Sequence, residues 1–253
     1  MKASWKTRIA RLLPEELIFR IRWLRDPLLI RRLAPESWPP YWGVRRLVKP
    51  GDVVVDVGAN IGFVSRILSE LVEEKGMVLA LEPVPPTYRL LTHNVRVLRL
   101  RNVRAIHAAA GARREKRKIV IPRYSDGREN IYESRLISGV AEEQTGRVFE
   151  IEVRSLDEVA RSCVGARRIS LIKIDVEGSE VEVVEGALEI LERDRPGLVI
   201  ETSGIACICD TRLGRLVALL SPLGYRPFHG SPTGFEAVRE DERVEGDIFF
   251  LTG

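Results

Sequence analysis

The hydrophobic pattern of this chain alternates between short unbroken apolar runs and longer stretches of helical spacing. Val53-Val-Val-Asp-Val57 is a branched run that suits a strand covered on both faces. Ile61, Val64, Ile67, Leu68, Leu71 and Val72 then recur at three- and four-residue intervals, the signature of a helix over residues 61–75. A second run, Met77-Val-Leu-Ala-Leu81, completes a strand-helix-strand unit of βαβ length. Farther on, the pattern predicts a helix over 85–100, a third strand over 102–109, and two strands, 116–121 and 148–153, able to pair across a long loop. Residues 170–174 read as another buried strand, followed by one helix through Val181, Val184, Leu188 and Leu191. A fifth parallel strand over 197–201, a helix over 210–220 and strands at 225–228 and 247–251 would complete an α/β sheet.

The chemistry-bearing residues fall where these strands end. After the first strand comes Asp56-Val-Gly-Ala-Asn-Ile-Gly62, in which Gly58 and Gly62 lack the Cβ atoms that would hold a ligand off the backbone. A dinucleotide fingerprint would be G-x-G-x-x-G, with amides facing a pyrophosphate. The spacing here is D-x-G-x-x-x-G, and an acid before the loop attracts a cation such as the ammonium of S-adenosylmethionine while opposing a pyrophosphate. The plain alternative is a strand-to-helix turn that holds no ligand. Glu82, before Pro83 at the end of the second strand, stands where doubly wound folds place the acid that takes the ribose hydroxyls. Asp175 and Glu177 follow the strand at 170–174, on the edge where open α/β sheets bind ligands. Two acids there fit a metal pair, a general base with its partner, or a cluster stabilised by a helix start.

Asp56-Val-Gly-Ala-Asn-Ile-Gly62, Leu81-Glu-Pro83, Arg154-Ser-Leu-Asp157 and Lys173-Ile-Asp-Val-Glu-Gly-Ser-Glu180 with Gly186 together resemble the FkbM family of S-adenosylmethionine-dependent methyltransferases. The likeness spans roughly residues 47–252. It implies a Rossmann-like, doubly wound, seven-stranded, mostly parallel sheet with an antiparallel last strand, and O-methyl transfer to a hydroxyl, often on a sugar or secondary metabolite. It also implies that Asp56, Gly58, Ala59, Asn60, Gly62 and the adjoining Phe63 line the methionine part of the cofactor, that Glu82 with Pro83 meets the ribose, and that Asp175 and Glu177 sit beside the methyl group. Asp175, Glu177 and Glu201, all at strand ends, are then the candidates to accept a proton, with His107 a weaker one. Ser179 stands where members commonly have His or Ala. An acid for the adenine amino group is not evident in His107-Ala-Ala-Ala-Gly111.

Composition changes this picture at the periphery. The 253 residues, 45% of them apolar, suffice for one large core, read as a methyltransferase domain over 47–253 behind a basic, aromatic-rich helical extension or cap over 1–46. The long stretch 123–147, rich in Ser, Gly, Arg and Glu, would be a lid or substrate loop, or a disordered insertion. Charge is segregated: residues 1–49 hold 12 Lys+Arg against 4 Asp+Glu, and residues 87–123 hold 11 against 1, so the remainder is acidic. Such segments suggest an anionic partner, a membrane surface or RNA, or else a solvated face. The alternatives to a small-molecule or glycan methyltransferase are therefore an RNA methyltransferase using the two basic segments and a noncatalytic cofactor-binding protein. Three cysteines, the absence of a long apolar run and the lack of a signal-peptide pattern lead to the expectation of a cytoplasmic protein, free or peripheral to a membrane, with Cys207-Ile-Cys209 a weak metal signal. Arg outnumbers Lys and Gln144 is the sole glutamine, compatible with a thermophilic source.

Overall fold

The computed structural model describes residues 14–122, 135–136, 146–208, 211–239 and 241–253. Most of the expected lid at 123–147, residues 1–13 of the extension and Cys209 lie outside the described residues. The strands in chain order are β1 (Val53–Val57), β2 (Met77–Leu81), β3 (Val103–Ile106), β4 (Ala109–Ala110), β5 (Glu115–Pro122), β6 (Arg135–Leu136), β7 (Gly146–Arg154), β8 (Ile169–Ile174), β9 (Gly197–Cys207), β10 (Tyr225–Gly230), β11 (Phe235–Ala237) and β12 (Arg243–Thr252). The helices are α1 (Glu15–Arg32), α2 (Tyr41–Leu47), α3 (Phe63–Val72), α4 (Pro85–Val97), α5 (Leu156–Cys163), α6 (Glu180–Glu185), α7 (Leu188–Asp194) and α8 (Thr211–Leu220).

The main sheet runs β3-β2-β1-β8-β9-β12-β10-β11. Its first five members are parallel, and β12 inserts antiparallel between β9 and β10. This is the expected doubly wound sheet with one difference: a short eighth strand, β11, folds back antiparallel on β10 at the edge. The period-two alternation of a strand sorts the two faces. Val53, Val55 and Val57 pack with Leu156, Val184, Leu191 and Leu216 on one side, while Val54, Leu171, Val199 and Phe249 pack with Tyr41, Val44, Ile67 and Leu68 on the other. A smaller sheet, β4-β7-β5-β6, carries the pairing expected between 116–121 and 148–153, with β5 antiparallel to β7.

One predicted helix is two. The run through Val181 and Leu191 breaks at Gly186 and Ala187, where the chain packs so closely on Gly111 that a Cβ on Gly186 would lie 2.0 Å from the Gly111 carbonyl oxygen. The Asp157 carboxylate accepts from the amides of Glu189 and Ile190 at 3.1 and 3.0 Å, and so caps α7, while the Asp157 amide donates to the Gly186 oxygen. Arg154-Ser-Leu-Asp157 and Gly186 thus form one joint between the small sheet and the helices behind β8.

The extension is held by specific contacts. Helix α1 lays Phe19, Trp23 and Ile30 against Leu90 of α4 and against Ile61. Pro27 lacks the N–H that would bond the Trp23 carbonyl four residues back. The His93 imidazole, stacked on the Trp23 ring at 3.7 Å, donates from Nε2 to that carbonyl at 2.9 Å instead. At the far end, buried Arg66 of α3 donates to the Leu33 carbonyl and pairs with Glu70.

Candidate active site

The loop from β1 into α3 turns through two left-handed glycines, Gly58 at φ +75° and Gly62 at φ +91°, with Asn60 also left-handed at φ +50°. Gly58 is required by contact as well as conformation, since a Cβ there would lie 1.9 Å from the Asp175 carbonyl oxygen. The amides of Gly58 and Ala59 both donate to the Leu81 carbonyl, which pins the loop over the end of β2.

Glu82 lies at that end, buried, its two oxygens accepting from the amides of Asn60 at 3.0 Å and Val84 at 2.9 Å. Burial pushes its carboxyl up to about 7, a cost that the two amides and the nearby Lys173 ammonium reduce only in part. The Asn60 Oδ1 is buried with no hydrogen-bond partner among the described residues. Both groups line an open cleft of about 640 Å³, the solvent at its mouth included, together with Val57, Gly58, Pro83, Asp175, Glu177 and Ser179. Ala108, Ala109, Ala110, Ile119 and Leu136 make an apolar wall opposite.

Beneath the cleft runs an ionic band that follows from strand register. Asp56 of β1 is the cross-strand partner of Lys173 of β8, and Asp247 of β12 that of Glu201 of β9. All four lie on the α3 side of the sheet, as Asp175 does two residues beyond Lys173. The Lys173 Nζ is 3.0 Å from Asp175 Oδ2 and 3.4 Å from Asp56 Oδ1, and donates to the Gly58 carbonyl at 3.2 Å. Desolvation opposes its charge, but Asp56 and Asp175 outweigh that and hold its pKa above the ordinary lysine value. The surplus of carboxylates shows elsewhere in the band. Although the residue as a whole is exposed, desolvation at its carboxyl, the Asp175 charge and a hydrogen bond shared with Asp175 raise Glu201 to about 7. Burial raises Asp247 to about 6, with Lys173 pulling it down and Asp175 pushing it up.

Gly58, Asn60, Glu82, Pro83, Asp175 and Glu177 of the sequence candidates therefore meet at one cleft, with Glu201 bonded to Asp175 beside it. Asp56 lies under the loop, wholly buried, with Ser65 donating to Oδ2 at 2.6 Å and Lys173 facing Oδ1. Its charge is thus answered inside the protein before any ligand arrives. Ala59 is buried in the loop, packed with Ala80 and Leu91. Gly62 approaches Leu91, and Phe63 begins α3 and packs toward α1. Glu177 takes a left-handed backbone, φ +49°, next to Gly178. His107 is exposed and stacks on Tyr88 at 4.4 Å instead of lining the cleft. Sequence reasoning passed over Lys173 and Asp247; a lysine inside an apolar strand was the available signal for the first, and nothing local marks the second. No group of side chains suited to a metal ion occurs among the described residues.

The set of acceptors suits a cationic, hydroxyl-bearing ligand: a buried carboxylate held short of full ionisation, an unpartnered amide oxygen, and further carboxylates along the rim. A pyrophosphate would meet like charge throughout.

Comparison with known proteins agrees with this geometry. Methyltransferase 1 of Beauveria bassiana is 25% identical over 154 residues, 53% of this chain and 57% of that protein. Methyltransferase sdnD of Sordaria araneosa is 28% identical over 157 residues, 54% of this chain and 60% of the relative. The chain thus spans less than two thirds of the length of these curated relatives. Among solved structures, the methyltransferase FkbM from Methylobacillus flagellatus KT shares the fold, with a TM-score of 0.50 and 18% identity over 93% of this chain and 60% of that one. The methyltransferase FkbM domain profile matches residues 56–227, from the acid before the glycine loop into β10, and the chain belongs to the FkbM methyltransferase family.

Proposed function

We propose that this chain transfers a methyl group from S-adenosylmethionine to a hydroxyl of a sugar, glycolipid or small metabolite by direct displacement. The observation that carries the reading is the continuity of the cleft: the glycine loop and buried Glu82 at one end, and at the other Asp175, which is hydrogen-bonded to Glu201 beside it. S-adenosylmethionine supplies, when bound, a sulfonium-activated methyl that a substrate oxygen displaces in line with the sulfur. Glu82 and Asn60 Oδ1 would accept from its hydroxyl and ammonium donors, and the Ala108, Ala109 and Ala110 wall would take an apolar ring face. Most of the rate would come from alignment of the two reactants in the cleft.

A hydroxyl nucleophile must also lose its proton as the oxygen–carbon bond forms and the carbon–sulfur bond breaks. Glu201, poised near neutrality, can take that proton, and Asp175, fixed by Lys173, can hold Glu201 in place. Ribose or base methylation of RNA is less well supported. Among the eleven basic residues of the second segment, Arg114 is paired with Glu152, Lys116 with Glu150 and Arg117 with Glu182. The test is methyl-labelled S-adenosylmethionine offered with a panel of sugar and small-molecule alcohols and with RNA. Label carried as an alkali-stable ether on an alcohol supports the reading; label on RNA alone, or on no acceptor while the cofactor binds, overturns it.

A further inference from the structure

Helix α1 is apolar on two opposite faces, and only one of them is used. Phe19, Trp23 and Ile30 face α4. On the other side Leu17, Ile21, Leu24 and Leu28 follow the 4-3-4 spacing that stacks side chains in one stripe, and they are 41%, 43%, 73% and 57% exposed. The stripe runs roughly 16 Å along the helix. At 100° per residue Arg20 and Arg31 flank it on one side and Arg25 and Arg32 on the other, all four exposed, with Arg25 paired to Asp26 at 2.7 Å. An isolated exposed leucine is ordinary; a leucine row between two arginine rows is not.

We propose that α1 docks this protein on an anionic lipid surface, the leucine stripe entering the interface and the arginines reaching up to the headgroups. Long arginine stems lie along apolar surface while their guanidinium groups remain among phosphates, which is the geometry these rims provide. Charge complementarity selects this occupant. A second copy of the chain placed on the same face would bring arginine rows against arginine rows. Single-stranded nucleic acid would want aromatic stacking surfaces, and this face carries none. Among the described residues no helix is long and apolar enough to cross a membrane, so the contact is with the surface. The preceding sequence adds Lys2, Lys6, Arg8 and Arg11 with no acid before Glu15, strengthening attraction to anionic headgroups. Pro27 and the His93 bond to the Trp23 carbonyl keep the helix fastened to α4, so the stripe is presented by a rigid element.

The experiment is co-sedimentation of the full chain with vesicles of phosphatidylcholine alone and of phosphatidylcholine containing about one third phosphatidylglycerol, at low and at high salt. Binding is expected only to the anionic vesicles and is lost at high salt. Leu24→Glu and Leu28→Glu should each weaken it roughly tenfold or more, and Arg20→Glu and Arg31→Glu each roughly fivefold or more. The thermal transition of these variants should match that of the parent, because the altered side chains are in solvent. Equal binding to neutral vesicles, no binding to either, or indifference to both leucine variants overturns the proposal. So does a concentration-dependent dimer that Leu24→Glu disperses, which assigns the face to a second copy, or RNA binding that the leucine variants abolish.

Discussion

Replacing Glu82 by glutamine changes one atom in the cleft and separates what that carboxylate costs the fold from what it does for a ligand. In the folded chain its pKa stands at about 7 against an ordinary 4.5, because burial outweighs the amides of Val84 and Asn60. Its folded pKa is raised, so between the two values the native state holds a proton that the unfolded chain has released. Stability therefore falls as pH rises through that window and levels off above about 7. The displacement corresponds to about 3 kcal/mol, most of it crossed between about pH 5 and pH 8. Glutamine does not titrate, but its amide group sets an N–H against one of the two backbone donors, at a cost of about 1–3 kcal/mol at every pH. Urea unfolding of parent and variant across that range should therefore show the variant less stable at the acid end, with the gap closing by about 3 kcal/mol toward the alkaline end. Parallel curves would refute the claim that Glu82 is a buried carboxyl titrating near neutrality. The same balance explains why a ligand with hydroxyl donors is welcome there: it solvates a charge that the protein solvates poorly.

Other expectations follow from the ionic band and the loop. Lys173→Met leaves Asp56 and Asp175 without their ammonium and should destabilise the fold by about 3–5 kcal/mol, read from the urea midpoint; an unchanged midpoint would mean the band is not held by that charge. Gly58→Ala forces a Cβ onto the Asp175 carbonyl at positive φ and should cost about 3 kcal/mol or more together with cofactor affinity, measured by thermal unfolding and calorimetry. Glu201→Gln should lower kcat on the order of 100-fold or more with cofactor affinity unchanged. In the parent, kcat should rise with pH to a plateau above about 7, and that limb should vanish in the variant.

The sequence shows the parts of this site that are local. The valine run, the two glycines and the acid before Pro83 each sit within a few residues of the strand they end, so strand periodicity places them at the carboxyl edge. What sequence hides is pairing across strands. Asp56 reads as an acid before a loop, offered to a ligand's cation, yet its register partner is Lys173 and its face is the α3 side, so it is buried and faces that ammonium. Asp247 lies in a strand that pairs antiparallel, and only that register brings it beside Glu201. The break at Gly186 depends on how closely Gly111 approaches, a distance no helical pattern contains. Helix α1 lies in the segment that composition marks only as a basic, aromatic-rich extension or cap, because it carries apolar residues on two faces, one against α4 and one toward solvent, and so shows no single apolar stripe.

The central claim is that the glycine loop, Glu82 and Asn60 form a site for S-adenosylmethionine. Calorimetric titration of the protein with S-adenosylmethionine, S-adenosylhomocysteine and NAD at about pH 8 and pH 6 tests it most directly. Micromolar binding of the first two is expected, roughly tenfold weaker at the lower pH as Glu82 gains its proton, with that pH dependence absent in Glu82→Gln and no binding of NAD. Binding of NAD in preference, or of none of the three at either pH, would contradict it.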